Sequence, residues 1–233
     1  MVRTLEIRRL GVVPYQDALA VQRALVEERR ADHVPDLLLL LQHAPVITLG
    51  VKGDGGRSNI VAGASRLTEL GIDISETGRG GDVTYHGPGQ IVGYPILDLR
   101  PDRCDVHRYV RDLEEVMIRV CADYGVSARR LEGLTGAWIG DDKIGAIGVR
   151  ISRWITSHGF AFNVNTNLDH FGLIVPCGLS NRGVTSLQRE TGRGMSIGEV
   201  ENAVIRHFCD AFERETNQAA REGPPYDVVP VLP

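Results

Sequence analysis

The sequence has 233 residues, of which 42% are hydrophobic and 24% are charged, enough apolar content for one domain with a single core. The 26 basic and 30 acidic residues leave a net charge of −4 at pH 7, which excludes the strongly basic surface that nucleic-acid binding needs. No apolar run approaches the roughly 18 residues of a membrane span, and the first ten residues, MVRTLEIRRL, lack the apolar centre of a signal peptide. We therefore expect a cytoplasmic protein that binds neither nucleic acid nor a membrane.

The first half of the chain alternates extended and helical patterns. Strands are indicated by alternating or short, wholly apolar runs, and helices by apolar residues at helical spacing. The predicted elements are a strand at residues 5–11, a helix opened by Pro14 and ending near Arg30, a central strand on the leucine run before Pro45, a helix at about 62–70, and a strand, a glycine-rich turn and a second strand within 72–99.

The second half contains the two clearest helices. The first is capped by Asp105 and ends at Gly125, and the second starts at Ser196, whose capping box ends at Glu199, and runs to about Glu215. Between them, residues 137–165 predict several strands joined by tight turns at 140–142 and 157–159. This mixture predicts an α+β fold in a single domain, with a mixed, largely antiparallel sheet flanked by helices. We assign residues 1–216 to the domain and 217–233 to an irregular, proline-rich tail.

The four cysteines are scattered without C-x-x-C spacing, so neither a disulfide framework nor a zinc site is indicated. Cys121 and Cys209 lie on or beside apolar helical stripes and are predicted to belong to the core, and Cys104 is predicted to be a bystander. Cys177 differs because it stands in the tripeptide PCG directly after an apolar run, where an exposed nucleophile could sit. A structural cysteine in a turn is the alternative.

A cysteine nucleophile acts as its thiolate, which a nearby cation or base must favour at neutral pH. The candidates are Lys143, His86 and His158, although each could instead be a turn residue with no part in catalysis. Only two of the 26 basic residues are lysines, Lys52 and Lys143. Because arginine does not lose its proton, a chain so rich in arginine needs lysine wherever an amine must act as a base.

The segment RGGDVTYHGPGQ, residues 79–90, places five glycines or prolines and one histidine within twelve positions. It matches neither the Walker loop nor the dinucleotide-binding G-x-G-x-x-G pattern. Two turns around a short strand would explain the glycines. The alternative is a ligand site in which the glycines expose backbone amides and Arg79, Thr84 and His86 supply polar contacts.

The same segment, continued as IVGYPILDL, resembles the R-G-G-x-x-T-[WY]-H-G-P-G-Q motif of the lipoyl(octanoyl) transferases of protein lipoylation. The segments KIGAIGVR, HGFAFNVN and VPCGL follow in that family's order, and LLLLLQHAPVITLG is similar to its upstream segment, with Gln42 in place of the usual acid. The resemblance covers residues 5–212. It implies a fold similar to the catalytic domains of biotin and lipoate protein ligases.

The resemblance also implies an acyltransferase reaction that uses neither a cofactor nor a metal. Octanoyl would move from octanoyl-acyl carrier protein to a lysine on the lipoyl domains of 2-oxoacid dehydrogenase and glycine cleavage complexes. Cys177 resembles the acyl-accepting nucleophile, and Lys143 resembles the residue that lowers its pKa. The acyl pocket is implied for Arg79, Gly80, Gly81, Asp82, Val83, Thr84, Tyr85 and His86, for Ala146, Ile147 and Gly148, and for Gly159, Phe160 and Ala161.

Two other functions remain open at this point. An ATP-dependent ligase of the same fold would need a lysine but no nucleophilic cysteine, so the PCG tripeptide disfavours it. A non-catalytic acyl-binding domain would bind the chain without forming a covalent adduct.

Overall fold

The computed structural model describes residues 3–52, 54–175 and 182–216, together with the backbone of Arg221 and Glu222. The strands are β1 (Arg3–Val13), β2 (Asp36–His43), β3 (Val46–Leu49), β4 (Asp73–Glu76), β5 (Thr84–His86), β6 (Gln90–Ile96), β7 (Arg129–Leu131), β8 (Leu134–Ile139), β9 (Asp142–Ser152), β10 (Ile155–Asn163), β11 (Arg214–Glu215) and β12 (Arg221–Glu222). The helices are α1 (Tyr15–Arg30), α2 (Ala64–Glu69), α3 (Val106–Asp123), α4 (Leu187–Thr191) and α5 (Ile197–Phe212), with short 3-10 turns at Arg57–Asn59 and Leu168–Leu173.

A large mixed sheet organises the fold. Its strand order is β11-β1-β2-β6-β10-β9-β8-β7, and β12 also pairs with β1. The pairs formed by β1 are parallel, and all the pairs from β2 to β7 are antiparallel. A second sheet of three strands has the order β4-β3-β5. The predicted α+β class and mixed, largely antiparallel sheet flanked by helices are therefore confirmed.

The leucine run forms β2 and is buried on both faces, as the sequence predicts for a central strand. Leu38 and Leu40 face the core that α3 and α5 cover, whereas Leu37, Leu39 and Leu41 face the core beneath α1. Successive side chains of a strand point to opposite faces, so an unbroken apolar run requires a helix on each side. The small sheet has a separate core, which includes Ile47, Tyr85 and Phe171.

Helix caps follow the sequence closely. The Asp105 side chain accepts a hydrogen bond from Arg108 N, 3.0 Å away, at the start of α3. The Ser196 side chain accepts from Glu199 N at the start of α5. However, α5 ends at Phe212, about three residues earlier than predicted, because Glu213 adopts a left-handed conformation with φ 53° and β11 then joins the sheet edge.

The turn predicted at residues 157–159 is wrong, because those residues lie inside β10. The chain reverses instead at Arg153 and Trp154, both in the left-handed region with φ 52° and 66°, although neither is a residue typical of such turns. Gly159 serves close packing rather than a turn. A Cβ at this position would lie 2.1 Å from the Gly93 carbonyl oxygen on the neighbouring strand β6.

The tail predicted as irregular contributes two residues to the sheet, since the backbone of β12 pairs in parallel with Arg8 and Arg9 of β1. The other residues of 217–233 lie outside the described part, so the domain boundary at 216 stays a prediction. In the ranges that the structure describes, no helix has both the length and the apolar composition needed to cross a membrane. The cytoplasmic location likewise stays a prediction.

Candidate active site

A cavity of about 80 Å³ lies where residues 79–86 meet the start of α1 and strands β6, β9 and β10. Its lining combines backbone from glycine-rich segments with aromatic, imidazole and aliphatic side chains. The lining residues are Tyr15, Arg79, Gly81, Asp82, Val83, Thr84, His86, Val92, Tyr94, Lys143, Ala146, Ile147, Gly148, His158, Gly159, Phe160 and Ala161.

The three predicted pocket segments come together around this cavity. All fourteen predicted residues line it except Gly80 and Tyr85, and Lys143 lines it as well. Tyr85 points the other way, because its neighbours on β5, Thr84 and His86, take the cavity face. Its hydroxyl lies 2.7 Å from His170 Nδ1, within the small core. The pocket roles of these residues stay predictions.

Glycine allows the loop to lie directly against the sheet. Gly80 N donates to the carbonyl oxygen of Val149 on β9, at 3.0 Å. A Cβ on Gly148 would lie 2.9 Å from the Gly80 carbonyl oxygen and 3.1 Å from Arg79 Cδ. The glycines therefore allow the loop backbone to pack closely against strand β9. This packing accounts for glycine at these positions without a nucleotide-binding role.

Arg79 fastens the same loop to the small sheet. Its side chain is largely buried, with 7% of the residue exposed. Its guanidinium donates to the Thr48 carbonyl oxygen at 2.7 Å, to Thr48 Oγ1 at 2.8 Å, and to the Gly80 carbonyl oxygen at 3.1 Å. The cation also lies close enough to His86 and His158 to oppose protonation of either ring.

His86 is a neutral imidazole whose tautomer its neighbours determine. Gln90 Nε2 donates to the Tyr85 carbonyl oxygen and to Asn163 Oδ1. Gln90 Oε1 is therefore the acceptor, 2.7 Å from His86 Nδ1, which must carry the proton. Burial holds the pKa of His86 well below its usual value of 6.5, with smaller contributions from His43 and Arg79. Nε2 is left as the unprotonated nitrogen, able to accept a hydrogen bond.

A second buried pair lies behind this wall. His43 Nδ1 donates to the Val13 carbonyl oxygen at 2.9 Å, so Nε2 accepts the hydroxyl proton of Tyr94, 2.7 Å away. Burial lowers the pKa of His43 to about 4 and raises the pKa of Tyr94 well above 10. This pair holds the Tyr94 ring in place as part of the cavity wall.

Lys143 lies at the start of β9, where backbone hydrogen bonds join it to the segment that follows residue 181. Its N donates to the Gly183 carbonyl oxygen, and its own carbonyl oxygen accepts from Thr185 N, both at 3.0 Å. Its Nζ stands 4.6 Å from the centroid of the Trp138 ring, which is 1% exposed, and Arg182 approaches the same ring at 5.6 Å. An ammonium is attracted to such a ring face, which fixes its position.

None of the three described cysteines lines the cavity. Cys121 is fully buried, and burial raises its pKa to about 12, which confirms it as a core residue. Cys209 is half-buried and packs against the same core, as predicted, and its pKa is also raised by burial. Cys104 is exposed. Cys177 lies outside the described residues, so its role stays a prediction.

Several lining residues fall outside the predicted segments, namely Tyr15, Val92, Tyr94 and His158. Val92 and Tyr94 could have been found by extending strand alternation beyond the glycine-rich motif. Tyr15 reaches the cavity because α1 crosses β6 and β10, a non-local packing that no local pattern encodes. From the sequence, His158 was a candidate base or a turn residue, and a place in the cavity wall was not predicted for it.

The model of the lipoyl protein ligase A/B catalytic domain family matches residues 14–209 of the chain. An octanoyltransferase of Myxococcus xanthus is 52% identical over 218 residues, covering 91% of this chain and 60% of that protein. An octanoyltransferase of Rubrobacter xylanophilus is 50% identical over 210 residues, covering 89% of this chain and 94% of that protein. The chain thus spans less than two thirds of the first relative and nearly all of the second.

Solved structures with this fold are far more distant in sequence. Lipoate-protein ligase A bound with ATP superposes with a TM-score of 0.76 at 19% identity, covering 97% of this chain and 90% of that one. Biotin protein ligase from Aquifex aeolicus, in complex with biotin and ATP, gives 0.55 at 15% identity, covering 90% and 70%. At such identities the likeness concerns the fold, and it confirms the predicted similarity to both kinds of ligase.

Proposed function

The chain belongs to the lipoyl protein ligase A/B catalytic domain family, and we propose that it is an octanoyltransferase acting through a thioester on Cys177. The octanoyl donor is octanoyl-acyl carrier protein, and the acceptor is a lysine of a lipoyl domain, in the first step of protein lipoylation. The observation that carries the proposal is the meeting of the three motif segments with Lys143 around one cavity, in a chain about half identical to named octanoyltransferases.

In the first half-reaction, the Cys177 thiolate attacks the carbonyl carbon of the octanoyl thioester. A new C–S bond forms to Cys177, the C–S bond to the carrier breaks, and the carrier thiolate takes a proton from the Lys143 ammonium. Exchange of one thioester for another is nearly neutral in free energy, so this step requires no ATP. Lys143 is left as a neutral amine.

In the second half-reaction, the neutral amine of the acceptor lysine attacks the same carbonyl carbon. A C–N bond forms, the bond to Cys177 breaks with the thiolate as leaving group, and Lys143 takes the proton released from nitrogen. The resting ammonium and thiolate are restored. One lysine thus acts first as an acid and then as a base, roles for which arginine is unsuited.

The described cavity has the chemistry that an octanoyl chain needs. Ala146, Ile147, Val92 and Phe160 supply apolar surface, and burial of each methylene is worth roughly 0.8 kcal/mol. The imidazoles in the wall are held neutral by burial, so the chain does not lie against a histidine cation. The backbone of Lys143 is hydrogen-bonded to Gly183 and Thr185. These two residues belong to the segment directly after the PCGLSN stretch that contains Cys177, which supports the pairing of Lys143 with Cys177.

The ATP-dependent ligase is the second candidate, and the likeness to a lipoate-protein ligase bound with ATP favours considering it. The test compares transfer to a lipoyl domain from octanoyl-acyl carrier protein without ATP and from octanoate with ATP. We expect transfer only from the carrier thioester, with loss of transfer in Cys177→Ala. Transfer from octanoate and ATP alone, at a rate equal to or above that from the thioester, would overturn the proposal.

A further inference from the structure

A second and larger hollow lies directly beyond the acyl cavity. This α1 groove, of about 440 Å³, is formed by α1 residues including Gln22, Arg23 and Arg30 and by the β9–β10 hairpin residues Arg150 and Ser157. Among the described residues, His158 alone lines both the cavity described above, here called the acyl cavity, and the α1 groove. His158 therefore forms the partition between the acyl cavity and a groove rimmed by arginines.

The partition stands at the end of the cavity remote from Lys143. His158 pairs with Val149, which is six residues after Lys143 along β9, so the two residues stand towards opposite ends of the same ladder. Between these two positions, the pairs Ala146 with Ala161 and Gly148 with Gly159 carry the small lining residues. An acyl chain attached near Lys143 and lying along this ladder would direct its methyl end towards His158.

The surroundings hold His158 in one position. Its backbone N donates to Gln22 Oε1 at 2.9 Å, and Gln22 is 2% exposed on the inner face of α1. Its ring meets the Tyr94 ring edge-on, with 6.4 Å between centroids. The residue is itself 5% exposed and adopts φ 55° within a strand, a conformation that non-glycine residues adopt at a cost.

The charge state of the ring suits a contact with an alkyl chain. Burial lowers the pKa of His158 to about 4, and Arg79, Arg150 and Arg23 add to the effect. The imidazole is therefore neutral at physiological pH, and it separates the cavity from the groove arginines Arg23 and Arg150, whose guanidinium groups would be poor neighbours for hydrocarbon.

We propose that His158 is the chain-length gate of this enzyme, closing the far end of the acyl cavity so that medium-chain acyl groups fit and longer ones do not. The inference rests on the proposed function, because it assigns the cavity to the acyl chain. Removing the imidazole joins the cavity to the α1 groove, so the additional methylenes of a longer acyl chain can extend into the groove. His158 is thus a specificity-determining residue rather than a base.

The test measures kcat/KM for octanoyl-, decanoyl- and dodecanoyl-acyl carrier protein with the wild type, His158→Gly and Ser157→Gly. Glycine accepts φ 55° without strain, so His158→Gly removes the ring while relieving the backbone. Ser157→Gly introduces the same flexibility one residue away, in a residue that lines the groove but not the cavity. His158→Asn, which also tolerates this conformation, serves if His158→Gly does not fold.

We expect the ratio of the dodecanoyl to the octanoyl kcat/KM to rise at least about tenfold in His158→Gly, since each accommodated methylene is worth about a factor of four. Ser157→Gly should keep the wild-type ratio. A folded His158→Gly, or His158→Asn in its place, with the wild-type ratio would overturn the gate.

A binding measurement separates the gate from the proposed function. Thermal stabilisation of the same proteins by octanoate and by dodecanoate requires no chemistry. Suppose that the wild type transfers no acyl group, that octanoate stabilises it, and that dodecanoate stabilises only the His158 variants. In that case the transferase proposal fails and the gate is supported. If dodecanoate stabilises the wild type as well as it stabilises the variants, the gate fails whatever the enzyme transfers.

Discussion

Lys143 is the residue whose substitution best separates the chemistry from the fold. We expect Lys143→Ala to lower kcat/KM for octanoyl transfer at least about 100-fold, because a positioned acid and base contributes about that much or more. The free energy of unfolding should change by less than about 1 kcal/mol, since the side chain is not part of the core. Transfer kinetics and urea denaturation measure the two quantities.

The chain contains its own control for this prediction. Lys52, the only other lysine, is exposed and does not line the cavity, so Lys52→Ala should transfer octanoyl at the wild-type rate. Near wild-type turnover by Lys143→Ala at neutral pH, or an equal loss in both variants, would contradict the assigned role.

The family resemblance indicated the three segments that meet at the cavity, and their acyl-binding role stays a prediction. Close packing imposes strict local requirements in these segments. Gly148 and Gly159 lie where a Cβ would collide with backbone, and such requirements leave a visible motif. Tyr85 and His158 show the limit of this reasoning. Which face each occupies depends on the register of β5 and β10 with their neighbours, and a motif does not specify register.

At the level of secondary structure, the cap of α3 gives a direct test of sequence-encoded local order. Asp105→Ala removes the acceptor for Arg108 N and should destabilise the protein by about 1 kcal/mol, the usual cost of a lost N-cap. Asp105→Asn keeps an acceptor and should cost less than half of that. Urea denaturation measures both, and equal losses in the two variants would contradict the hydrogen bond from Arg108 N as the source of the stabilisation.

Helices and central strands were predictable because their apolar periodicity and caps are local. The β9–β10 turn was not, because Arg153 and Trp154 adopt left-handed conformations without glycine or asparagine. Tertiary contacts hold them there, among them the hydrogen bond from Leu99 N to the Trp154 carbonyl oxygen. Gly159 misled the prediction because close approach between strands also selects glycine.

At the level of the whole molecule, the fold class followed from the alternation of elements, and the leucine run of β2 identified the centre of the sheet. The parallel pairing of β1 with both β2 and β11 joins residues far apart in sequence. Such pairing depends on how α1 and α5 pack on the two faces, which composition and periodicity do not determine.

Three buried histidines, His43, His86 and His158, make the stability of the folded chain depend on pH, because burial lowers the pKa of each. The pKa values of His43 and His158 fall from 6.5 to about 4 on folding because both rings are buried. As the pH falls, the unfolded chain therefore binds these protons at a higher pH than the folded chain does. The contribution of the neutral rings to the free energy of unfolding is fully present above about pH 6.5 and is lost as the pH drops towards 4. Each ring removes about 3 kcal/mol by pH 4, a large share of the typical stability of a domain.

Urea denaturation between pH 7.5 and 4.5 measures this loss. His43→Gln, which can still donate to Val13 and accept from Tyr94, should show a shallower dependence on pH than the wild type. A His43→Gln slope as steep as the wild type would contradict the assignment of that proton uptake to His43.

The central claim is that Cys177 carries the octanoyl group, and intact-mass analysis after mixing with octanoyl-acyl carrier protein tests it most directly. Without ATP, we expect one octanoyl adduct per wild-type chain, released by hydroxylamine as a thioester is and discharged by a lipoyl domain. Cys177→Ala should show none. An adduct that persists in Cys177→Ala, or a wild-type chain that transfers octanoyl without ever carrying it, would contradict the claim.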